Sequence, residues 1–256
     1  MLFAHGVASP PGIKIMAGNS RTTMTGTIAF IDSARPMPFW KRAIDITFCM
    51  AVLPLLSLVT VTMIIVMKIA SPGSVFYCQP RVGYRQRRFM CYKFRTMHVG
   101  ADSGIHQLHC EDLIHTNAPL TKMDSRNDTR VIPGGWLLRA SGIDELPQLI
   151  NVLRGEMSLV GPRPCMPYES DSYQPWHRER FNAIPGLTGL WQVSGKNRTT
   201  FNEMLRLDIH YARNISWWLD MKIIIRTIPA MLLQIRDTHR TRRSSKQDTL
   251  RPRLVA

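Results

Sequence analysis

Two adjacent carboxylates, Asp144 and Glu145, lead into the apolar run that ends at Val152. An aspartate can attack a phosphoryl group and form an acyl phosphate. A neighbouring glutamate can hold a metal ion or move a proton. Ser141 stands three residues before Asp144, the spacing of a capping box. One reading is that the acids only cap a helix. The other uses the same placement, because a helix N-terminus carries positive potential and receives phosphate. Cations gather around the pair. Arg130, Arg139 and Arg154 are near in sequence, and Gly161-Pro162-Arg163-Pro164 is a rigid turn presenting one guanidinium. Arginine suits bidentate phosphate binding, and a proline-bracketed arginine loses less freedom on binding. Lys93 and Arg95, in Lys93-Phe94-Arg95-Thr96-Met97, add charge at a strand end. Any one of these cations taken alone reads as a solvated surface charge.

The elements that must position these groups begin with an apolar segment. Ile46–Met67 is 22 residues without a formal charge. As a straight helix it would be about 33 Å long, enough to cross a bilayer core. Pro54 interrupts it and cannot donate to the Met50 carbonyl, so a kink or break is expected there. The arms Ile46–Leu53 and Leu55–Met67 would be roughly 12 and 20 Å long, too short to cross singly. Ser57 stands close enough to bond a freed carbonyl. Arg35, Lys41 and Arg42 precede the segment, and Lys68, Arg81, Arg85, Arg87 and Arg88 follow it. Positive charge on both flanks suits a hairpin that enters and leaves by the cytoplasmic face. Charge and proline alone leave this balanced against a kinked single span. Phe39 and Trp40 are placed as an interfacial anchor.

The rest divides into a mobile arm over 1–38, a membrane helix over 39–70, a catalytic domain over 71–235 and a basic tail over 236–256. Ser71-Pro72-Gly73 reads as a turn, and Ser74–Cys78 and Phe89–Phe94 as the strands of a small hairpin. Residues 101–127 read as a loop holding His106, His109, Cys110 and His115, where zinc is conceivable but chance clusters are mostly inert. Within 201–235 the spacing predicts two helices, the second ending at Pro229. Trp217 and Trp218 with nearby basic residues fit a helix lying in the headgroup layer as well as they fit a core helix. The fold class is α+β and mainly helical: a re-entrant membrane hairpin, a small β-hairpin and interfacial amphipathic helices.

Composition bounds the partners. The 256 residues carry 33 Lys+Arg against 18 Asp+Glu, a net charge of +15 that demands an anionic partner. Nucleic acid, a membrane surface or a phosphorylated substrate would serve. At 45% hydrophobic, the chain is not mostly disordered. Five scattered cysteines without a CxxC pair exclude a dense disulfide framework and suit a cytosolic-facing chain.

Six motifs occur in the order of one known family. They are Lys41-Arg42-Ala43-Ile44-Asp45, Val75-Phe76-Tyr77-Cys78-Gln79-Pro80-Arg81-Val82-Gly83, Lys93-Phe94-Arg95-Thr96-Met97, Asp144-Glu145-Leu146-Pro147-Gln148, Gly161-Pro162-Arg163-Pro164 and Pro185-Gly186-Leu187-Thr188-Gly189-Leu190-Trp191-Gln192. From about 39 to 235 the chain resembles the bacterial sugar transferases, the monotopic phosphoglycosyl transferases. It is most similar to the short members that begin exopolysaccharide repeat units. The family often has glycine between the Val-Gly and Lys-Phe-Arg motifs, where this chain has Arg85-Gln86-Arg87-Arg88.

The resemblance implies an enzyme at the cytoplasmic face of a bacterial inner membrane. It would transfer sugar 1-phosphate from a UDP-sugar to a polyprenyl (undecaprenyl) phosphate, giving polyprenyl diphosphate sugar and UMP. It implies Mg²⁺ at Asp144, Asp144 as nucleophile through a covalent phosphosugar, and Glu145 as its partner. Arg139, Arg163, Lys93 and Arg95 would hold phosphate or nucleotide, and Asp208 matches a further acidic position. Pro54 would break the re-entrant helix, and Lys41-Arg42 would anchor it at the headgroups. Membrane lipids, downstream glycosyltransferases and a second copy are the further partners to expect. The competing readings are a non-catalytic basic membrane adaptor of a polysaccharide assembly and a nucleic-acid binder. No recognition motif supports the latter.

Overall fold

The computed structural model describes residues 36–70, 73–98, 100, 104–120, 130–195 and 199–250. The arm expected over the first residues, the turn expected at 71–73 in its first two positions, positions 121–129 and the last six residues of the expected tail lie outside them. Helix α1 (Phe39–Ala70) has an inner stripe at helical spacing: Lys41, Asp45, Cys49, Val52, Leu56, Val59, Met63 and Met67. Its other faces are bare, and only 11% of its most apolar window is buried. It is long and apolar enough to cross a membrane. It does not form two separate arms: the helix continues through Pro54. The Ser57 hydroxyl bonds the Leu53 carbonyl at 2.9 Å, not that of Met50. One missing backbone bond is tolerable where side chains and local adjustment compensate.

Both ends of α1 pack on the same domain. Cys49 joins a core with Leu149, Val152, Met157, Val160, Tyr211 and Ile223. Met63 and Met67 join a second, with Val75, Phe94 and Ile132.

Strands β1 (Phe76–Val82) and β2 (Arg88–Phe94) form the expected antiparallel hairpin, registered from Phe76↔Phe94 to Val82↔Arg88. The first strand runs four residues beyond its expected end at Cys78. Pro80 belongs to it, as proline can on an edge strand. The hairpin closes through Tyr84–Arg87, whose ends bond at 3.1 Å. Arg85 (φ 53°) and Gln86 (φ 58°) both take the left-handed conformation. Such a turn favours Asn-Gly, and each ordinary residue held there costs roughly 1 kcal/mol. The double substitution Arg85→Asn, Gln86→Gly is therefore expected to stabilise the protein by about 1 kcal/mol. Denaturant midpoints would show this.

Helix α2 (Gly104–Thr116) occupies part of the stretch 101–127 that was expected to be a loop. Among its described side chains the apolar ones packed inward are Leu113 and Ile114, too weak a period to read. The Gln107–Glu111 bond (2.9 Å) supports its exposed side. There follow α3 (Gly135–Ser141), a 3₁₀ turn (Ile143–Gln148), α4 (Leu149–Arg154), β3 (Ser158–Val160) and α5 (Pro167–Asp171). A second 3₁₀ segment (Pro175–Asn182), β4 (Gly186–Thr188) and the short α6 (Leu190–Val193) lead to α7 (Phe201–Arg213) and α8 (Trp217–Leu250). Strands β3 and β4 pair in parallel, which the sequence did not suggest. Helix α7 is capped by Thr200 and Glu203 in a reciprocal box. Helix α8 does not stop at Pro229 but continues to Leu250. The carbonyl that Pro229 leaves without its donor is that of Ile225, on the outer side of the helix where Ile225 is 70% exposed.

A third core gathers Tyr173, Phe181, Trp191, Phe201, Met204 and Leu205. His177 sits at its edge against Tyr173, Trp176 and Phe201, with Nδ1 accepting from the Gln174 N–H. Burial pushes this imidazole down to about 4. An unfolded histidine titrates near 6.5. Stability from this group is therefore complete above pH ~6.5 and is lost as pH falls toward 4. The thermal midpoint is expected to fall from pH 7 to pH 5, and to fall less in His177→Gln.

Candidate active site

The acidic pair lies on the 3₁₀ turn between α3 and α4. Gly142 (φ 73°) reverses the chain, and the Glu145 N–H closes on the Gly142 carbonyl at 3.0 Å. The capping box expected at Ser141 is not formed. Ser141 is the last residue of α3, and its hydroxyl bonds back to the Leu137 and Leu138 carbonyls at 2.8 and 3.2 Å. Gly142 takes the N-cap position instead. Asp144 is buried, with 7% of its surface exposed. Glu145 is more open and pairs with Lys93 of β2, Nζ to Oε1 2.7 Å.

Asn151 fastens this unit to the hairpin. Fully buried on α4, it accepts from the Tyr92 N–H (3.2 Å) and donates to the Met90 carbonyl (2.7 Å) and Glu156 (2.6 Å). The sequence reading passed over it. A polar residue inside the apolar run Leu149–Val152 was the signal.

Arg163 occupies a second cationic cluster. Its turn is held carbonyl by carbonyl: Pro162 accepts from Gly186 N (2.9 Å), Arg163 from Arg180 Nη2 (2.6 Å), Pro164 from Arg81 Nη1 (3.0 Å) and Cys165 from Val82 N (2.9 Å). Gly161 and Gly186 must be glycine, because a Cβ on either would stand 2.1 Å from the opposing backbone. The Arg163 guanidinium bonds Glu169 at 3.1 Å, with Glu169 almost fully buried. Burial alone would raise the Glu169 carboxyl, but Arg163 and Arg81 outweigh it and hold it below the usual carboxylate range. Asp208, the further acidic position of the resemblance, is 1% exposed and so is placed away from substrate; it pairs with Arg180 at 2.5 Å and accepts from the Arg163 N–H. The two clusters flank one strand. The Cys91 thiol of β2, pushed up by burial, lies in the field of Lys93 and Glu145 as well as Arg81 and Arg163.

The remaining expected residues sit elsewhere. Arg139 is in the last turn of α3, leading into the acidic turn. Arg95 is buried at the end of the hairpin, with Nε on the Ser74 carbonyl at 2.6 Å. Lys41 and Arg42 do not reach outward as headgroup anchors. Lys41 is 3% exposed and pairs with Asp220 at 2.6 Å, and Asp220 accepts from the Tyr211 hydroxyl at 2.8 Å. Arg42 caps α4, donating to the Val152 and Leu153 carbonyls at 2.5 and 2.6 Å. Asp45 accepts from the Leu159 N–H (2.9 Å) and Ser158 hydroxyl (3.0 Å). These charges weld the start of α1 to the domain. Arg180 and Asp220 went unread because their partners Asp208 and Lys41 are 28 and 179 residues away, and Glu169, six residues from Arg163, went unread because that spacing belongs to no regular element.

Among the described residues no group of three or more His, Cys, Asp or Glu is placed to hold a metal. The side chains of His106, His109 and His115 lie outside that description. One or two carboxylates suffice for Mg²⁺ that also takes substrate phosphate oxygens and water. The oxygen donors of Asp144 and Glu145 fit that kind of site, and do not fit a closed zinc site.

A carboxylate pair set among cations, on a domain rooted to a membrane-length helix, has the makings of a site for anionic substrates at a lipid surface. The chain belongs to the bacterial sugar transferase family, whose sequence profile matches residues 37–234. It is 36% identical over 193 residues to the exopolysaccharide production protein ExoY of Sinorhizobium fredii, covering 75% of this chain and 85% of that one. It is 38% identical over 200 residues to the UDP-glucose:undecaprenyl-phosphate glucose-1-phosphate transferase of Caulobacter vibrioides, covering 75% and 69%. It is 40% identical over 195 residues to the galactosyl transferase CpsE of Streptococcus agalactiae, where it covers 75% of this chain and only 42% of the relative.

Proposed function

We propose that this protein transfers sugar 1-phosphate from a UDP-sugar to polyprenyl phosphate at the cytoplasmic face of a bacterial inner membrane, beginning a glycan repeat unit. The observation that carries the reading is the buried Asp144 beside the Glu145–Lys93 pair, on a turn stapled to the cationic hairpin. An Asp144 oxygen attacks the phosphorus bearing the sugar, and the bond to the departing UMP oxygen breaks. A phosphate oxygen of the lipid then attacks the same phosphorus, and the aspartyl bond breaks. The product is polyprenyl diphosphate sugar, and Asp144 returns as a carboxylate. The two displacements together consume no proton.

Lys93 and Arg163 offset substrate charge that would otherwise repel the attacking carboxylate. Glu169 and Arg180 keep Arg163 in place. Asp144 and Glu145 would hold Mg²⁺, which when bound neutralises phosphate charge. The re-entrant course of α1 is part of this proposal. It is supported by the packing of Met63 and Met67 on the same domain that holds Lys41 and Asp45. The first turn of α8 is assigned to the headgroup layer on the exposure of Trp217 and Trp218.

The test is UMP release by the full chain with polyprenyl phosphate and a panel of UDP-sugars. Release with at least one sugar, matched by labelled lipid product, is expected. Absence with every sugar would overturn the reading and favour a non-catalytic adaptor.

A further inference from the structure

The last turns of α8 have no part in the reading above. The family match ends at residue 234, yet the helix runs on to Leu250. Its inner face is seated on α3, the helix that leads into the acidic turn. Gln234 Nε2 donates to the Arg139 and Ala140 carbonyls, both at 3.4 Å. The His239 ring meets Trp136 edge-on at 4.9 Å. The Met231 methyl stands 3.7 Å from where a Cβ on Gly142 would be.

The outer face changes character along one stripe. Trp218, Ile225 and Leu232, spaced by sevens, are 81%, 70% and 62% exposed. The backbone register carries this stripe on through positions 236, 240 and 243, all arginine. Between 236 and 250 there are five Lys/Arg and two Asp. At the stripe's beginning Trp217 meets Trp40 edge-on at 6.1 Å, so the face starts at the root of α1.

A helix face that is apolar to Leu232 and cationic beyond it matches a leaflet with negative headgroups. A nucleic acid would leave Trp218, Ile225 and Leu232 uncovered. We infer that α8 is an anionic-lipid-binding arm, and that its seat on α3 couples lipid contact to the Asp144-Glu145 turn. Slack in the arm loosens Arg139 and Gly142, and a bound arm holds them. The lipid contact stands independently of the transferase reading, and only the activity arm of the test rests on that reading.

The experiment places the full chain in nanodiscs of phosphatidylcholine alone or with phosphatidylglycerol. It follows amide exchange at 236–250 and 135–142 together with UMP release. Each arginine near an anionic surface is worth about fivefold in partition, so exchange at 236–250 is expected to slow by about tenfold or more with phosphatidylglycerol. Exchange at 135–142 slows with it, UMP release rises severalfold, and high salt reverses all three. The variant with Arg236, Arg240, Arg242 and Arg243 each changed to Gln loses these responses. Trp136→Ala keeps the response at 236–250 and loses that at 135–142. Equal exchange in both discs, or a four-Gln variant that responds like the parent, overturns the lipid contact. Slowing at 236–250 with 135–142 unmoved overturns the coupling. Both segments responding while no UDP-sugar yields UMP supports the arm and removes the transferase reading instead.

Discussion

Asp144→Asn is expected to lower UMP release by roughly a thousandfold or more, the scale seen when an enzyme's nucleophile is removed. That corresponds to at least about 4 kcal/mol of barrier. The substitution is nearly isosteric, so a thermal midpoint close to the parent's would mark the loss as chemical. Labelled sugar phosphate should stay covalently on the parent chain when lipid is withheld, and should not stay on the variant. Full release by Asp144→Asn would remove Asp144 as nucleophile. Glu145→Gln should cost less, about ten- to a hundredfold, because it removes a neighbour and leaves Lys93 without its partner at 2.7 Å.

Asp208→Ala is expected to produce the largest loss of stability, about 3–5 kcal/mol, because it leaves Arg180 as an uncompensated buried charge. Both members of the pair are 1% exposed. Arg180 also holds the Arg163 carbonyl, so the variant loses the shape of the Pro-Arg-Pro turn along with its stability. A substrate-binding Asp208 would behave differently, raising KM at an unchanged midpoint. Replacing both members by apolar residues, Asp208→Leu with Arg180→Met, should recover much of the stability and little of the activity. Thermal midpoints and UMP kinetics on the same preparations separate these outcomes. A midpoint within a degree of the parent in Asp208→Ala would refute the structural role.

How much of this was legible in the sequence follows from the range of the forces involved. The apolar helix, the hairpin and α7 were readable because their signals are local: a chargeless run, aromatic-rich strands and a helical period. The acidic pair was readable because its two members are adjacent. Lys41 and Arg42 were misread as headgroup anchors because position at a membrane flank is a local cue. Their partners, Asp220 and the carbonyls of Val152 and Leu153, lie more than a hundred residues away. Ser141 was misplaced for a related reason. An S-x-x-D spacing fits a helix start, and the left-handed Gly142 that ends one helix and begins the next carries no weight in that pattern. Helix α8 was cut short at Pro229 because a proline's missing donor is visible in sequence, whereas the exposed side on which its carbonyl falls is not.

The Lys41–Asp220 pair sets a clock for synthesis. The two residues are 179 apart, and Lys41 is made first. At about 5–20 residues per second, roughly ten to forty seconds pass before Asp220 leaves the ribosome. The apolar helix meets the bilayer long before its root can be fastened. Its depth and tilt are therefore provisional when it inserts, and become fixed only as the last part of the domain arrives. A chain released early, lacking α8, would hold a membrane helix whose root lysine, Lys41, has no Asp220 to pair with, a mark by which quality control can tell it from a finished protein.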